Sequence, residues 1–314
     1  MEKLDFNGRV AIVTGAGGGL GRAYAMLLAE RGASVVINDL GTSPTGGGAS
    51  AQPAEQVVAE IEAAGGNAVA AFETVATAAG ARAITDIAMD AYGRVDILVN
   101  NAGIVIPRSF METDLSTFQA HIDVSFYGAV HMAQACWQEL TMRRGNIVNV
   151  ASSAMLGAEG LSAYAAAKGA VYALSRCLAV SGNAHGVRVN ALFPMGVTRT
   201  ADASGDAIPD EQTRHFVETA LAPAKVAPIV AYLCHSSCEV TGKAFAAGRD
   251  RFASVFMAET QGYAQPDLTV EDVASNLSIA LDRSKILDFS DFDQQLRYLM
   301  ESGSPEGTDR SSQR

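Results

Sequence analysis

Thr14-Gly15-Ala16-Gly17-Gly18-Gly19-Leu20-Gly21 is the stretch that decides the fold. Before it, Val10–Val13 is a short apolar run that reads as a strand; after it, Leu20–Arg31 reads as a helix. Glycines at a strand-to-helix junction let the backbone turn sharply and approach a pyrophosphate, which the unpaired N–H groups of a helix start attract. The spacing Gly-x-Gly-x-x-Gly cannot be placed: from Gly15 its third glycine falls on Leu20, and from Gly17 on Arg22. Thr-Gly-x-x-x-Gly-x-Gly does fit, on Gly15, Gly19 and Gly21, with Leu20 inside the turn. A flexible loop would share this composition. The position at the first strand–helix junction favours a phosphate cradle.

Outward from that turn, short β-branched runs alternate with Ala-rich stretches of helical length. Expected strands are Ser34–Asn38, Ala68–Phe72, Asp96–Asn100, Asn146–Ala151 and Val187–Phe193. Expected helices are Glu55–Ala64, Ala79–Tyr92, Leu115–Leu140 with room for a break, and Ser162–Gly182 opened by Ser162 as N-cap. Such alternation gives an α/β fold, a Rossmann-type doubly wound parallel sheet covered by helices on both faces. Gly41–Pro53 is a long Gly/Ser/Pro-rich loop of a composition that favours mobility. Residues 199–225 are polar and carry a short expected helix at Asp210–Ala220; by position they form a substrate lid. The dinucleotide-binding domain is expected over 1–248. A C-terminal extension over 249–314 holds one expected helix, Val270–Leu281, and a disordered end.

Composition narrows the function. With 23 basic against 34 acidic residues the net charge is −11, which argues against a nucleic-acid partner, since phosphates need a basic face. No apolar run approaches the roughly 20 residues that cross a bilayer. Cys136, Cys177, Cys234 and Cys238 are scattered through apolar segments, unlike a disulfide framework, and a cytoplasmic protein is expected. Cys234, His235 and Cys238 lack the second pair of ligands that zinc needs, so no metal is expected.

Asp39 ends the second strand, eighteen residues beyond Gly21, where a carboxylate can accept hydrogen bonds from ribose hydroxyls and would repel a 2′-phosphate. NAD is therefore preferred to NADP. Arg22 argues the other way if it pairs with a 2′-phosphate, or it neutralises Asp39 or the pyrophosphate. Tyr164 and Lys168, four apart on one helix face, would set an ammonium beside a phenol and lower the phenol's pKa. That makes Tyr164 a proton acceptor for an alcohol or a donor to a carbonyl.

The glycine turn, Asn100-Asn101-Ala102-Gly103, Ser152-Ser153 and the pair Tyr164/Lys168 occur in one order that closely resembles the short-chain dehydrogenase/reductase family, over residues 6 to about 248. The resemblance implies an NAD(P)-linked oxidoreductase acting on CH–OH groups. It implies Ser152 as the serine that holds the substrate oxygen, Tyr164 as acid/base, and Lys168 as the group that holds the nicotinamide ribose and tunes the tyrosine. Asn101, Ala102 and Gly103 would lie along the cofactor, Thr74 and Val75 near the adenine, and Gly196, Val197 and Thr198 near the nicotinamide.

Three departures stand out. The family's serine lies thirteen residues before the tyrosine, a position held here by Ala151; Ser152 fits with a loop one residue shorter, and Ser153 is the runner-up. The helix asparagine of the family's proton relay is Ser125, and its Pro-Gly is Pro194-Met195-Gly196. More narrowly, Val13–Tyr24, Asn38–Gly41, Tyr232–Glu239 and Gly242 to Gly248 look like the (3R)-hydroxyacyl-CoA dehydrogenase unit of multifunctional enzyme type 2 and its bacterial single-domain relatives. The substrate implied is a small molecule, an acyl-CoA or an apolar alcohol of hydroxysteroid type, in lipid or steroid breakdown. Arg108, Arg199, Arg214 and Arg251 are candidates for CoA phosphates. Family members pair through the two long apolar helices, so a homodimer or homotetramer is expected. The competing reading is a non-catalytic NAD-binding sensor or scaffold.

Overall fold

A computed structural model describes residues 3–43, 45–196 and 219–301. The expected strands and helices form within a few residues of their expected bounds. β1 (Val10–Thr14), β2 (Ser34–Asn38), β3 (Asn67–Ala71), β4 (Ile97–Asn100), β5 (Asn146–Val150), β6 (Arg188–Pro194), β7 (Ala244–Gly248) and β8 (Arg251–Val255) make one sheet in the order β3-β2-β1-β4-β5-β6-β7-β8. All neighbours are parallel except β7 and β8. β1 shows why the strands read as unbroken apolar runs: Ala11 and Val13 enter the core on one face, Val10 and Ile12 the core on the other.

The first face is covered by α1 (Gly19–Glu30), α2 (Gln52–Ala63) and α7 (Ala227–Cys234), through Tyr24, Leu28, Val57, Ile61 and Val230. On the second lie α3 (Ala78–Tyr92), α5 (Gly128–Arg143) and α6 (Ser162–Asn183), through Ile84, Met132, Leu140 and Ala179. Thr77 caps α3 by accepting from the Gly80 N–H, and Gly93 ends it at φ +70°. The chain leaves β1 for β2 on one side and resumes at β4 on the other, so a crevice opens at the carboxyl ends of these strands.

The structure adds detail at four points. The break in Leu115–Leu140 is a π-helical segment, Ile122–Tyr127, between α4 (Leu115–His121) and α5. Ser162 is inside α6 rather than its cap: Leu161 takes that place, and the Ser162 hydroxyl is buried without a partner among the described residues. The Gly41–Ser50 loop is closed at its base, where the Ser50 N–H donates to the Leu40 carbonyl. Finally, the sheet continues past Gly248 through antiparallel β8, and the first compact unit runs Met1–Val255.

The second unit, Phe256–Arg314, pairs β9 (Glu259–Thr260) with β10 (Ile286–Leu287) and carries α8 (Val270–Ala280) and α9 (Phe292–Glu301). Thr269 and Asp272 form a reciprocal capping box at the start of α8. α9 is a helix absent from the sequence reading. The expected lid helix lies outside the described residues, as does the end of the extension beyond Glu301.

Candidate active site

The glycine turn builds the floor of the crevice. Gly15 and Gly19 sit at φ +63° and +52°, in the left-handed region. A Cβ on Gly21 would fall 2.2 Å from the Gly15 carbonyl oxygen, so only glycine allows α1 to start this close to β1. No side chain caps α1, leaving its first-turn N–H groups without side-chain acceptors. The turn is held from across the sheet. Thr14 Oγ1 accepts from the N–H groups of Asn101 and Ala102, and Asn101 Nδ2 donates to the carbonyls of Thr14 and Gly15 at 2.9 and 3.1 Å.

Gly15, Gly19, Leu20, Asp39, Thr74, Val75, Asn101, Ala102, Gly103, Tyr164 and Lys168 all line one cleft of about 250 Å³. Gly21 lies behind it against Gly15, and a Cβ on Gly196 would press on Leu20 at 2.8 Å. Val197 and Thr198 lie outside the described residues. The sequence reading missed Glu73, Ile104, Val105, Val124, Pro194 and, from the Gly-rich loop, Thr42, Ser43 and Gly46. Their place just past strand ends was the available signal.

Asp39 takes the end of β2, accepting from the N–H of Gly17 through one carboxylate oxygen and from Gly41 through the other, both at 2.7 Å. Arg22 does not reach it. Its Nε donates to Glu60 on α2 at 2.9 Å.

Tyr164 and Lys168 rise from α6 on one face. The Lys168 ammonium donates to the Val150 carbonyl at 2.6 Å and stands 5.9 Å from the centre of the Tyr164 ring. Burial pulls Lys168 down to about 8. For Tyr164 the expected lowering is reversed: burial raises its pKa, and a hydrogen bond with Ser152 only opposes that rise. Desolvation of the phenol, invisible in an i, i+4 spacing, is the larger effect. That bond also separates the serines. Ser152 Oγ accepts from the Ala154 N–H and reaches Tyr164, whereas Ser153 is exposed. Ser125 lies in the π segment, 3% exposed, its hydroxyl without a partner among the described residues. A Cβ on Gly103 would stand 3.4 Å from both Ser125 Oγ and Lys168 Nζ, so the three meet at one point.

The model of the short chain dehydrogenase family matches residues 9–208. The chain belongs to this family. Its members are oxidoreductases acting on CH–OH groups and use NAD(P). The chain is 39% identical over 290 residues to the peroxisomal multifunctional enzyme type 2 of Drosophila melanogaster, covering 90% of this chain and 47% of that one. It thus spans about half the length of that relative. A short chain dehydrogenase from Mycobacterium avium superposes with a TM-score of 0.72 at 33% identity, over 89% of this chain and 98% of that one. A 7α-hydroxysteroid dehydrogenase complexed with NADH and 7-oxo glycochenodeoxycholic acid superposes with a TM-score of 0.68 at 29% identity, over 78% and 96%.

The short-chain dehydrogenase cleft fits a dinucleotide. Its helix start is uncapped, its turn is free of side chains where a Cβ on Gly15 would fall 2.9 Å from Ala102 Cα, and a carboxylate stands at the end of β2. No described helix is long and apolar enough to cross a membrane. His235, between Cys234 and Cys238, hydrogen-bonds Ser237 and the Asp5 carbonyl.

Proposed function

We propose that this chain is an NAD-dependent dehydrogenase interconverting a secondary alcohol and a ketone, with a 3-hydroxyacyl-CoA as its substrate class and a hydroxysteroid-like alcohol as the alternative. The observation that carries it is the placement of Tyr164 and Lys168 in the cleft that the glycine turn floors, with Ser152 hydrogen-bonded to Tyr164. Ser152 and Tyr164 hold the substrate oxygen, and the Tyr164 phenolate takes the hydroxyl proton. Lys168, its ammonium anchored on Val150, supports the phenolate electrostatically and holds ribose hydroxyls. The cofactor supplies the acceptor for the hydride. Asp39 favours NAD over NADP, and the engagement of Arg22 by Glu60 supports that preference.

The relatives support the substrate class: one is a peroxisomal multifunctional enzyme type 2, another a hydroxysteroid dehydrogenase. A homodimer or homotetramer belongs to the same proposal, with exposed Tyr127 and Met142 and, on α6, Val180 available for pairing. Four free cysteines suit a reducing, cytoplasmic setting. Coenzyme A thioesters of 3-hydroxy acids, free hydroxysteroids and short secondary alcohols, each offered with NAD and with NADP, test it by NADH fluorescence. Turnover of the thioesters with NAD is the expected result. Tight NADH binding with no turnover of any alcohol or ketone would instead leave a non-catalytic sensor.

A further inference from the structure

His121 has no part in the chemistry above, yet it is wholly buried at the end of α4, between the cleft wall and the tyrosine. Both ring nitrogens are engaged. Nδ1 lies 2.8 Å from the Thr117 carbonyl oxygen, and the Ile106 N–H points at Nε2 from 3.2 Å. A carbonyl can only accept and an N–H can only donate, so these partners fix the state of the ring: the proton sits on Nδ1, Nε2 is bare, and the imidazole is neutral. The ring also stands edge-on to Tyr164, centroids 6.2 Å apart and planes at 69°. Ile104 and Val105, immediately before Ile106, line the cleft beside Tyr164 and Lys168.

We propose that His121 is a positioning residue of the active site, a neutral imidazole that tethers the Ile104–Ile106 wall of the cleft through its backbone and braces the ring of Tyr164. The tether is selective for the neutral form. A proton on Nε2 would set two donors against each other at Ile106 and add a cation beside Lys168. Burial and the Lys168 charge hold the histidine's pKa below its usual range, and the Thr117 carbonyl only partly opposes them. The surrounding elements bring few other charges. α6 presents Lys168 and Tyr164 and, farther along, Arg176. Asp123 in the π segment accepts from Gln119, Asp114 caps α4 through the Thr117 N–H, and Arg108 on the preceding segment is exposed. Acid should therefore loosen the wall at a pH below the ordinary histidine range.

The proposal rests on the dehydrogenase reading for its meaning but is tested on binding as well as turnover. His121→Gln can offer an oxygen acceptor to Ile106 and takes no proton, whereas His121→Leu fills the space without an acceptor. NADH affinity by fluorescence and alcohol turnover are measured for both variants and the parent from about pH 5 to 8, with thermal melts to confirm folding. At neutral pH the glutamine variant should match the parent within about threefold, and the leucine variant should lose about tenfold, the scale of one buried N–H left unsatisfied. Below about pH 6 the parent should weaken while the glutamine variant holds. Equal losses in both variants, or the same acid limb in all three proteins, would overturn the proposal. A parent that binds NADH but turns over no alcohol sinks the dehydrogenase reading alone, because the affinity comparison still decides the role of His121.

Discussion

At the amino ends of β1, β4, β5 and β6, buried polar groups are tied to one another. Asp96 accepts from the Val10 N–H at 2.9 Å and from Arg94 at 2.8 and 2.7 Å. Asn146 accepts from Arg9 and Arg188 and donates to the Leu233 carbonyl, binding β5 and the starts of β1 and β6 to α7. Among the described residues there, the Nε atoms of Arg9 and Arg188 make no hydrogen bond. At the carboxyl ends the ties surround a cleft instead: Thr14, Asn101 and Asp39 fix the glycine turn, Lys168 is anchored on Val150, and the Ser125 hydroxyl has no partner among the described residues. Buried polar groups cost stability unless they are paired. The difference teaches where this chain keeps its ligand-binding capacity: one edge of the sheet ties its polar groups into structure, and the other sets them around a cleft.

Three substitutions sharpen or break that contrast. Asp96→Ala should cost about 3 kcal/mol of stability, as breaking a buried ion pair does, while turnover per folded molecule stays unchanged; chemical denaturation beside kinetics checks both. A large loss of specific activity would mean that the amino edge is not purely structural. Asp39→Ser should weaken NADH binding by about 2 kcal/mol, the scale of a charged hydrogen bond, and narrow the preference over NADPH, as calorimetry with both cofactors would show. Unchanged affinity would move the ribose contact elsewhere. Arg22→Ala should be smallest, at most about 1 kcal/mol, because its pair with Glu60 is partly exposed. A fall in NADPH binding in that variant would return Arg22 to the cofactor.

Much of this was legible from sequence, for local reasons. The glycine turn, the strand runs and Asp39 are set by their immediate neighbours, so spacing alone placed them in the cleft. Where long-range packing decides, the reading was incomplete. Nothing in the local sequence marks His121, because its partner Ile106 is fifteen positions away. Tyr164 was expected to have a lowered pKa from its neighbour at i+4, but burial by the surrounding elements sets the sign. Arg22 was free to be read three ways until α2 brought Glu60 to it. β8 escaped notice because its exposed, antiparallel pairing gives no continuous apolar run.

The central claim is that the groups gathered at the carboxyl edge perform alcohol–ketone interconversion, with Tyr164 as the proton carrier. Tyr164→Phe tests it most directly, with turnover and NADH affinity measured on the same folded protein. The phenol's removal should lower kcat by about 10²- to 10⁴-fold, the usual scale of general acid–base catalysis, and leave the NADH Kd within about threefold. Retained turnover, or loss of cofactor binding in step with activity, would contradict the account.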